Sequence, residues 1–433
     1  MNKHVNRCWD VVIIGGGLSG LVAANDLGEQ NLKVLVIEKG KTLGGLARTD
    51  VREGCSFNLG PHAFYKGGPG MKILKDWNIS LKGNSMKLNG KVMDKGTLHS
   101  SPLAPSTLIS SGLLSWKEKK EWMSLLWKLL KIDPTRIGYE TLEEWSIKNV
   151  SSEQVRKMLY MLCRLSTYSH APKIVSAKAV LAQVQNSLKG VLYVDGGWQT
   201  IVDQLKARAI SYGVEFVTGT AVRQIKGAAP NFEVDLSDDK KIQTEFVIST
   251  ASPTEFLHFF QQEIPSHLQK MIEAAKPIKG ACLDVALKKL PNPNLHFALG
   301  LDQPYYYSNH SHAAKLTQNA DHVVLHVHKY LTVDENGDAS SLREELENWL
   351  EFIQPGWKDE VITTRFMPSI TISHRIPMNV HQKIIEEPYS GIPGVYLAGD
   401  WVSPDAMLAD GAMKSGKICA EKIIKSRKEI TLC

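Results

Sequence analysis

The sequence predicts an α/β fold: a parallel sheet with helices on its faces, interrupted by a second, α+β domain. Three observations carry that prediction. A short β-branched strand runs straight into a glycine-rich turn and a helix. A second strand ends on a glutamate. The elements needed to complete such a sheet return only near residue 190 and at the end of the chain, leaving two long stretches between.

The first strand is Trp9-Asp10-Val11-Val12-Ile13-Ile14, apolar enough to be buried on both faces. Gly15-Gly16-Gly17-Leu18-Ser19-Gly20 follows and fits GxGxxG through Gly15, Gly17 and Gly20. Gly15 suits the tight strand-to-helix turn, Gly17 a close approach of backbone to a pyrophosphate, and Gly20 close packing of helix on strand. The helix pattern runs through Leu21, Val22, Ala24 and Leu27, and the second strand, Lys33 to Ile37, closes on Glu38. A carboxylate there accepts hydrogen bonds from adenosine ribose hydroxyls and disfavours a 2′-phosphate. The unit predicts a dinucleotide site, with the phosphates at the helix N-terminus.

Composition bounds the rest. The 433 residues are 43% hydrophobic and 22% charged, with a net charge of +6, the balance of a folded protein with room for two domains. That charge is too dilute for a nucleic-acid footprint. The six cysteines (8, 55, 163, 282, 419, 433) form no CxxC pair and suit buried thiols in a reducing cytoplasm. No apolar core of a signal peptide precedes the first strand, and no apolar run reaches the about 20 residues that span a bilayer. The expected location is cytoplasmic, with peripheral membrane contact as an option.

Two further motifs identify the dinucleotide. Gly44-Gly45-Leu46-Ala47-Arg48-Thr49 is followed by Gly54 and Phe57-Asn58-Leu59-Gly60-Pro61-His62-Ala63-Phe64; near the end come Leu397-Ala398-Gly399-Asp400-Trp401 and Asp410-Gly411-Ala412-Met413-Lys414-Ser415-Gly416. With the first unit, these resemble the FAD-dependent amine oxidase, protoporphyrinogen oxidase and phytoene desaturase superfamily, spread from Val11 to Gly416. The resemblance implies FAD as cofactor and an FAD-binding Rossmann-like domain of the GR2 type. It implies that Gly44 and Gly45 run along the diphosphate, with Arg48 near it and the flavin, and that Asp400 meets the ribityl and phosphate region. The helix opening at Gly411, Ala412 and Met413 would face the flavin's pyrimidine edge. Leu18, Ser19, Lys39, Leu46, Gly60, Pro61, His62 and Ala63 join the cofactor set by the same resemblance, as do Val222, expected at the adenine, and Thr250 and Ala251, ending a strand beside the dinucleotide. Asn58 stands where the family often has aspartate, keeping the hydrogen bonding and losing the charge.

The FAD domain is expected from residues 1–85, 190–275 and 380–433, and the substrate domain from a helical insertion, 86–189, and a strand-rich one, 276–379. Within the first insertion, residues 113–131 have a helical pattern with lysines at its start. It reads first as a domain-packing helix and, alternatively, as a basic surface that meets a membrane. Trp198 and Tyr305 to Tyr307 are candidates for an apolar substrate wall. His326 and His328 share one side of a strand but lack a third ligand, so no metal site is expected, nor at His310 and His312. Lys279 resembles a lysine that some amine oxidases place near the flavin, and no catalytic residue is assigned.

The expected activity is a dehydrogenase or desaturase that oxidises an apolar or amphipathic small molecule by hydride transfer to flavin. An amine oxidase, a protoporphyrinogen-type oxidase and a non-catalytic FAD-binding protein are the alternatives. One GxGxxG leaves no second fold for NADPH, so oxygen, a quinone or a protein carrier is the expected electron acceptor.

Overall fold

The computed structural model describes residues 7–86, 90–260, 264–333, 335, 337–378 and 390–431. Met1–Asn6, Cys433 and the domain boundary expected at residue 380 lie outside them.

Two seven-stranded sheets organise the chain. In the first, the strands Glu215–Thr218, Val34–Glu38, Cys8–Ile14, Lys241–Ser249 and Val395–Leu397 run parallel, side by side in that order. Asn231–Leu236 and Val222–Ala228 extend it antiparallel from Lys241–Ser249. The parallel strands are buried on both faces, which is why Val11 to Ile14 and Val34 to Ile37 are continuously apolar. The helices Leu18–Glu29, Leu408–Thr431 and Gln199–Ser211 pack around that sheet, Leu18–Glu29 touching both others.

The second sheet has the order Val361–Ser373, Ile278–Leu287, Val323–Tyr330, Tyr305–Asn309, Phe297–Gly300, Lys91–Asp94, Thr97–Ser100. It is antiparallel except where Phe297–Gly300 meets Lys91–Asp94. The side-chain period of two divides its central strand. Ala281, Leu283, Val285 and Leu287 pack under the helix Ala339–Ile353 through Leu342, Leu346, Trp349, Leu350 and Ile353. The alternate positions, Cys282 and Asp284, turn to the other face and are also fully buried. The helices Trp116–Lys131, Leu142–Asn149, Glu153–Thr167 and Ala177–Leu188 form the rest of this half and share a core with Phe297, Tyr306, Val324 and Tyr330 of the sheet. Among the described residues no helix is long and apolar enough to cross a membrane.

A buried ionic cluster ties the second sheet to a two-stranded hairpin, Thr49–Arg52 and Cys55–Asn58. Asp284 stands in register with His326 on one side and Arg365 on the other. Its Oδ1 lies 2.6 Å from His326 Nδ1 and accepts from Cys282 Sγ at 3.1 Å, while its Oδ2 accepts from Arg365 Nε at 3.0 Å. Arg365 also donates to Asp50 Oδ2, at 2.7 Å, and to the carbonyl oxygen of Asn58. Burial alone would push the Asp284 carboxyl up, but His326 and Arg365 outweigh it and hold it below the usual carboxylate range. Cys282 and Asp284 give His326 the neighbours that strand spacing did not reveal, and the three ligating atoms lie within 4.8 Å of one another. The guanidinium already matches the carboxylate's charge, so we read the cluster as an ion-pair clasp.

Arg365→Met would leave the Asp284 charge buried with half its partners. We expect a loss of about 3–5 kcal/mol in urea unfolding, and partial recovery when Asp284→Asn is added. A loss below about 1 kcal/mol would contradict the clasp.

Candidate cofactor and substrate cavity

A cavity of about 540 Å³ opens where the parallel strands end, between the two sheets. Ile14, Glu38, Thr250, Ala251, Gly399 and Asp400 bring the strand ends of the first sheet to one wall; Ile370, Thr371 and Ile372 of the second sheet, with Tyr168 at the end of the helix Glu153–Thr167, form another. The crevice outside the carboxyl ends of parallel strands is where open α/β sheets bind ligands.

The glycine turn is built by steric necessity. Gly15 has φ +105°, and a Cβ there would lie 2.1 Å from Thr250 Oγ1. A Cβ on Gly20 would lie 2.1 Å from the carbonyl oxygen of Gly15, so only glycine lets the helix sit this close to its strand. Gly17 differs: its Cβ would meet nothing nearer than 4.0 Å, and it lines the cavity. No side chain caps the helix N-terminus at Gly17, and its first turn carries no acid. A bare helix N-terminus facing a cavity fits an anionic group.

Around this turn stand Leu18, Ser19, Gly44, Gly45 and Leu46. Glu38 is held by two backbone donors: Oε2 accepts from Gly16 N–H at 2.8 Å and Oε1 from Gly40 N–H at 2.7 Å. Each oxygen keeps a further lone pair, so the carboxylate shapes the loop and can still receive a ribose hydroxyl. Lys39 lines the cavity and pairs with Glu255, another lining residue. Val222, Thr250 and Ala251 complete this end.

Pro61, His62 and Ala63 form the wall nearer the second sheet. His62 places Nδ1 3.0 Å from Gly60 O and Nε2 3.1 Å from Leu46 O, and its ring meets Trp198 edge-on at 4.7 Å. Asn58 Oδ1 accepts from Thr49 Oγ1 at 2.7 Å and from Trp198 N–H at 2.9 Å, so the amide supplies the acceptor that this position needs. Tyr168 donates to Pro61 O at 2.7 Å, joining the helical insertion to this wall.

Asp400 is a buried carboxylate whose Oδ2 accepts from His374 N–H at 3.1 Å and whose Oδ1 is 3.3 Å from His374 Nδ1. Burial raises the Asp400 pKa, but the hydrogen bonds and charge of His374 prevail and hold it below the ordinary value. Burial likewise pulls His374 down, and Asp400 more than reverses it. The helix Leu408–Thr431 opens beside them, with Leu408, Ala409, Asp410 and Ala412 on the cavity wall. Asp410 Oδ1 accepts from Gly70 N–H at 2.8 Å, while Oδ2 is buried with no hydrogen-bond partner. Burial drives its pKa up to about 6.

Five residues expected at the cofactor stand outside the cavity wall. Arg48 donates from Nε to Asp50 at 3.1 Å. Gly20 packs on Gly15, Gly60 faces Ile370 Cδ1, and Gly411 backs onto the carbonyl oxygen of Ala406. Met413 is fully buried in the core around Leu18 and Phe64. Of the expected substrate wall, Trp198 lines the cavity, whereas Tyr305, Tyr306 and Tyr307 sit in the second sheet, bonded to Glu345, His310 and Leu295 respectively. Lys279 is also outside the wall; its register partner Thr371 is in it. His374, Tyr168 and Glu255 reach the cavity without any local motif announcing them.

The flavin containing amine oxidoreductase profile matches residues 18–424. The chain belongs to that family. A 4,4′-diaponeurosporene oxygenase of Staphylococcus haemolyticus is 25% identical over 310 residues, 61% of this chain and 60% of the relative. The chain thus spans less than two thirds of the curated relatives' length. Among solved structures, an oxidoreductase from Methanosarcina mazei superposes with a TM-score of 0.76 at 19% identity, covering 96% of this chain and 100% of that one. Putrescine oxidase bound to putrescine gives 0.74 at 15% identity, covering 97% and 99%. At these identities the structures establish the shared fold.

Gly17→Val should leave the protein folded, since the added carbons enter open space, yet colourless after purification. Yellow protein with an unchanged flavin content would contradict the placement of the phosphates. Asp410 binds its proton more tightly folded than unfolded, so its contribution to stability declines as pH rises from its ordinary 3.8 to about 6. In flavin-free protein, Asp410→Asn should remove that decline, gaining on the parent in thermal midpoint across this window; parallel profiles would contradict it.

Proposed function

We propose that this chain holds FAD in the cavity between its sheets and oxidises an apolar or amphipathic small molecule. The observation that carries the reading is the cavity's division of character. Its lining combines a backbone-rich, polar part, Gly15, Gly17, Gly44, Gly45 and Glu38, with an apolar and aromatic part, Phe64, Tyr65, Tyr168, Trp198, Ile370, Ile372 and Leu408. The uncapped helix at Gly17 would take the diphosphate, Glu38 the adenosine ribose, and Asp400, steadied by His374, the ribityl hydroxyls.

Bound there, the flavin supplies a hydride acceptor. The protein's task is then positioning. Tyr168, anchored on Pro61, and Tyr65, whose hydroxyl donates to Ser166 O at 2.8 Å, hold rigid aromatic surface against the substrate. The first turn of the helix Leu408–Thr431 lines the cavity through Leu408, Ala409, Asp410 and Ala412, and its dipole would favour negative charge on a reduced ring held there. Walls of this kind would exclude water from the C–H bond that gives up the hydride, while the proton lost from the neighbouring carbon, which completes the double bond, would be released to solvent. With one nucleotide-binding unit among the described residues, oxygen, a quinone or a protein carrier is the electron acceptor we propose.

An amine substrate is the second reading. The aromatic surface of Tyr65, Tyr168 and Trp198 beside the Asp410 carboxyl suits an ammonium group, and putrescine oxidase shares the fold.

Anaerobic mixing of the yellow protein with polyene isoprenoids, protoporphyrinogen, and mono- and polyamines separates the readings. We expect bleaching by a polyene and none by amines. Bleaching by amines alone would transfer the function to the second reading. Dithionite reduction with no response to any substrate would contradict both.

A further inference from the structure

The helix Trp116–Lys131 is apolar on two faces. Trp122, Leu125 and Leu129 are buried against the helices of the substrate half. Trp116, Met123, Trp127 and Leu130 are 68%, 59%, 62% and 53% exposed. At about 100° per residue, these four fall within an arc of roughly 60°, with the half-buried Leu126 between them and the buried face. Lys120, Lys131, Lys117 and Lys128 follow around the wheel, all exposed. Ile109, 67% exposed, continues the stripe: Lys119 reaches back to donate to its carbonyl oxygen at 2.7 Å and lies 4.8 Å over the Trp116 ring.

The helix's acids are spent on the protein side. Glu118 closes the capping box with Ser115 and accepts from Ser152, and Glu121 accepts from the backbone N–H groups of Ser151 and Ser152. The exposed face therefore carries tryptophan, methionine, leucine and lysine without a carboxylate among them. Lys131 lies 3.9 Å over Trp127, so charge and aromatic surface present together.

We propose that this face docks on an anionic lipid bilayer surface, the helix lying in the plane of the interface. Charge complementarity selects the occupant: the lysine flank requires a negative surface, while exposed tryptophans settle at headgroup depth and the adjoining apolar side chains enter the acyl boundary. The buried face, meanwhile, fixes the helix to the substrate half of the molecule. This inference stands on the surface alone and is independent of which substrate the cavity takes.

Flotation with phosphatidylcholine vesicles, with and without phosphatidylglycerol, tests it. The protein should float with the anionic vesicles, stay behind with the neutral ones, and be released by salt. Trp127→Ser/Leu130→Ser and Lys120→Gln/Lys131→Gln change only exposed side chains and should keep the parental thermal midpoint. The lysine pair should weaken partitioning by roughly fivefold per residue, and the apolar pair should abolish the blue shift of tryptophan fluorescence on vesicle addition. Failure of the parent to float with anionic vesicles, or flotation of both variants equal to the parent's, would overturn the proposal. So would a parental dimer that Trp127→Ser/Leu130→Ser converts to monomer, since a second copy would then be the occupant.

Discussion

Everything at the cavity depends on one close approach. The helix Leu18–Glu29 is pressed against the end of its own strand so tightly that a Cβ on Gly20 would stand 2.1 Å from the carbonyl oxygen of Gly15. That contact aims the helix's uncapped N-terminus into the gap between the sheets. Thr250 closes over the same turn, its hydroxyl and N–H both donating to Ile14 O, at 2.9 and 2.8 Å. The strands Cys8–Ile14 and Lys241–Ser249 are thereby locked at the level where the wall begins, and Gly44 is drawn in by its N–H to Gly16 O at 2.8 Å.

The second sheet must then be held at a fixed distance, and the Arg365 cluster does this. Its guanidinium reaches Asp284 in its own sheet and Asp50 and Asn58 in the hairpin Thr49–Arg52 and Cys55–Asn58. The chain leaving that hairpin carries Pro61, His62 and Ala63 to the cavity, and Asn58 fastens Trp198. A fork that binds three acceptors in two elements is a job for arginine rather than lysine. Ile370 to Ile372 lie a few residues along Arg365's strand, so the clasp also places the apolar wall.

Local chemistry made the first half of this legible in the sequence. Val11 to Glu38 announces strand, turn, helix and strand because each step depends on near neighbours: β-branched burial, glycine sterics, helical period. The closing Gly399-Asp400 motif was visible through its resemblance to the family's pattern. His374, Tyr168 and the Asp284–His326–Arg365 register were not, since they depend on pairings between strands tens to hundreds of residues apart. Tyr305 to Tyr307 misled because an aromatic run on a strand alternates sides whatever its composition; they serve the second sheet. Arg48 stands off the cavity wall, its Nε donating to Asp50, which Arg365 shares.

The chain belongs to the flavin containing amine oxidoreductase family, and the proposed function rests on the claim that the dinucleotide it holds is FAD. The most direct test is to release the chromophore from purified protein by heat and identify it by chromatography, with its fluorescence read before and after phosphodiesterase cleavage. The account predicts FAD at one per chain, its fluorescence rising on cleavage. Flavin mononucleotide, or a protein that neither retains flavin nor takes up added FAD, would contradict it.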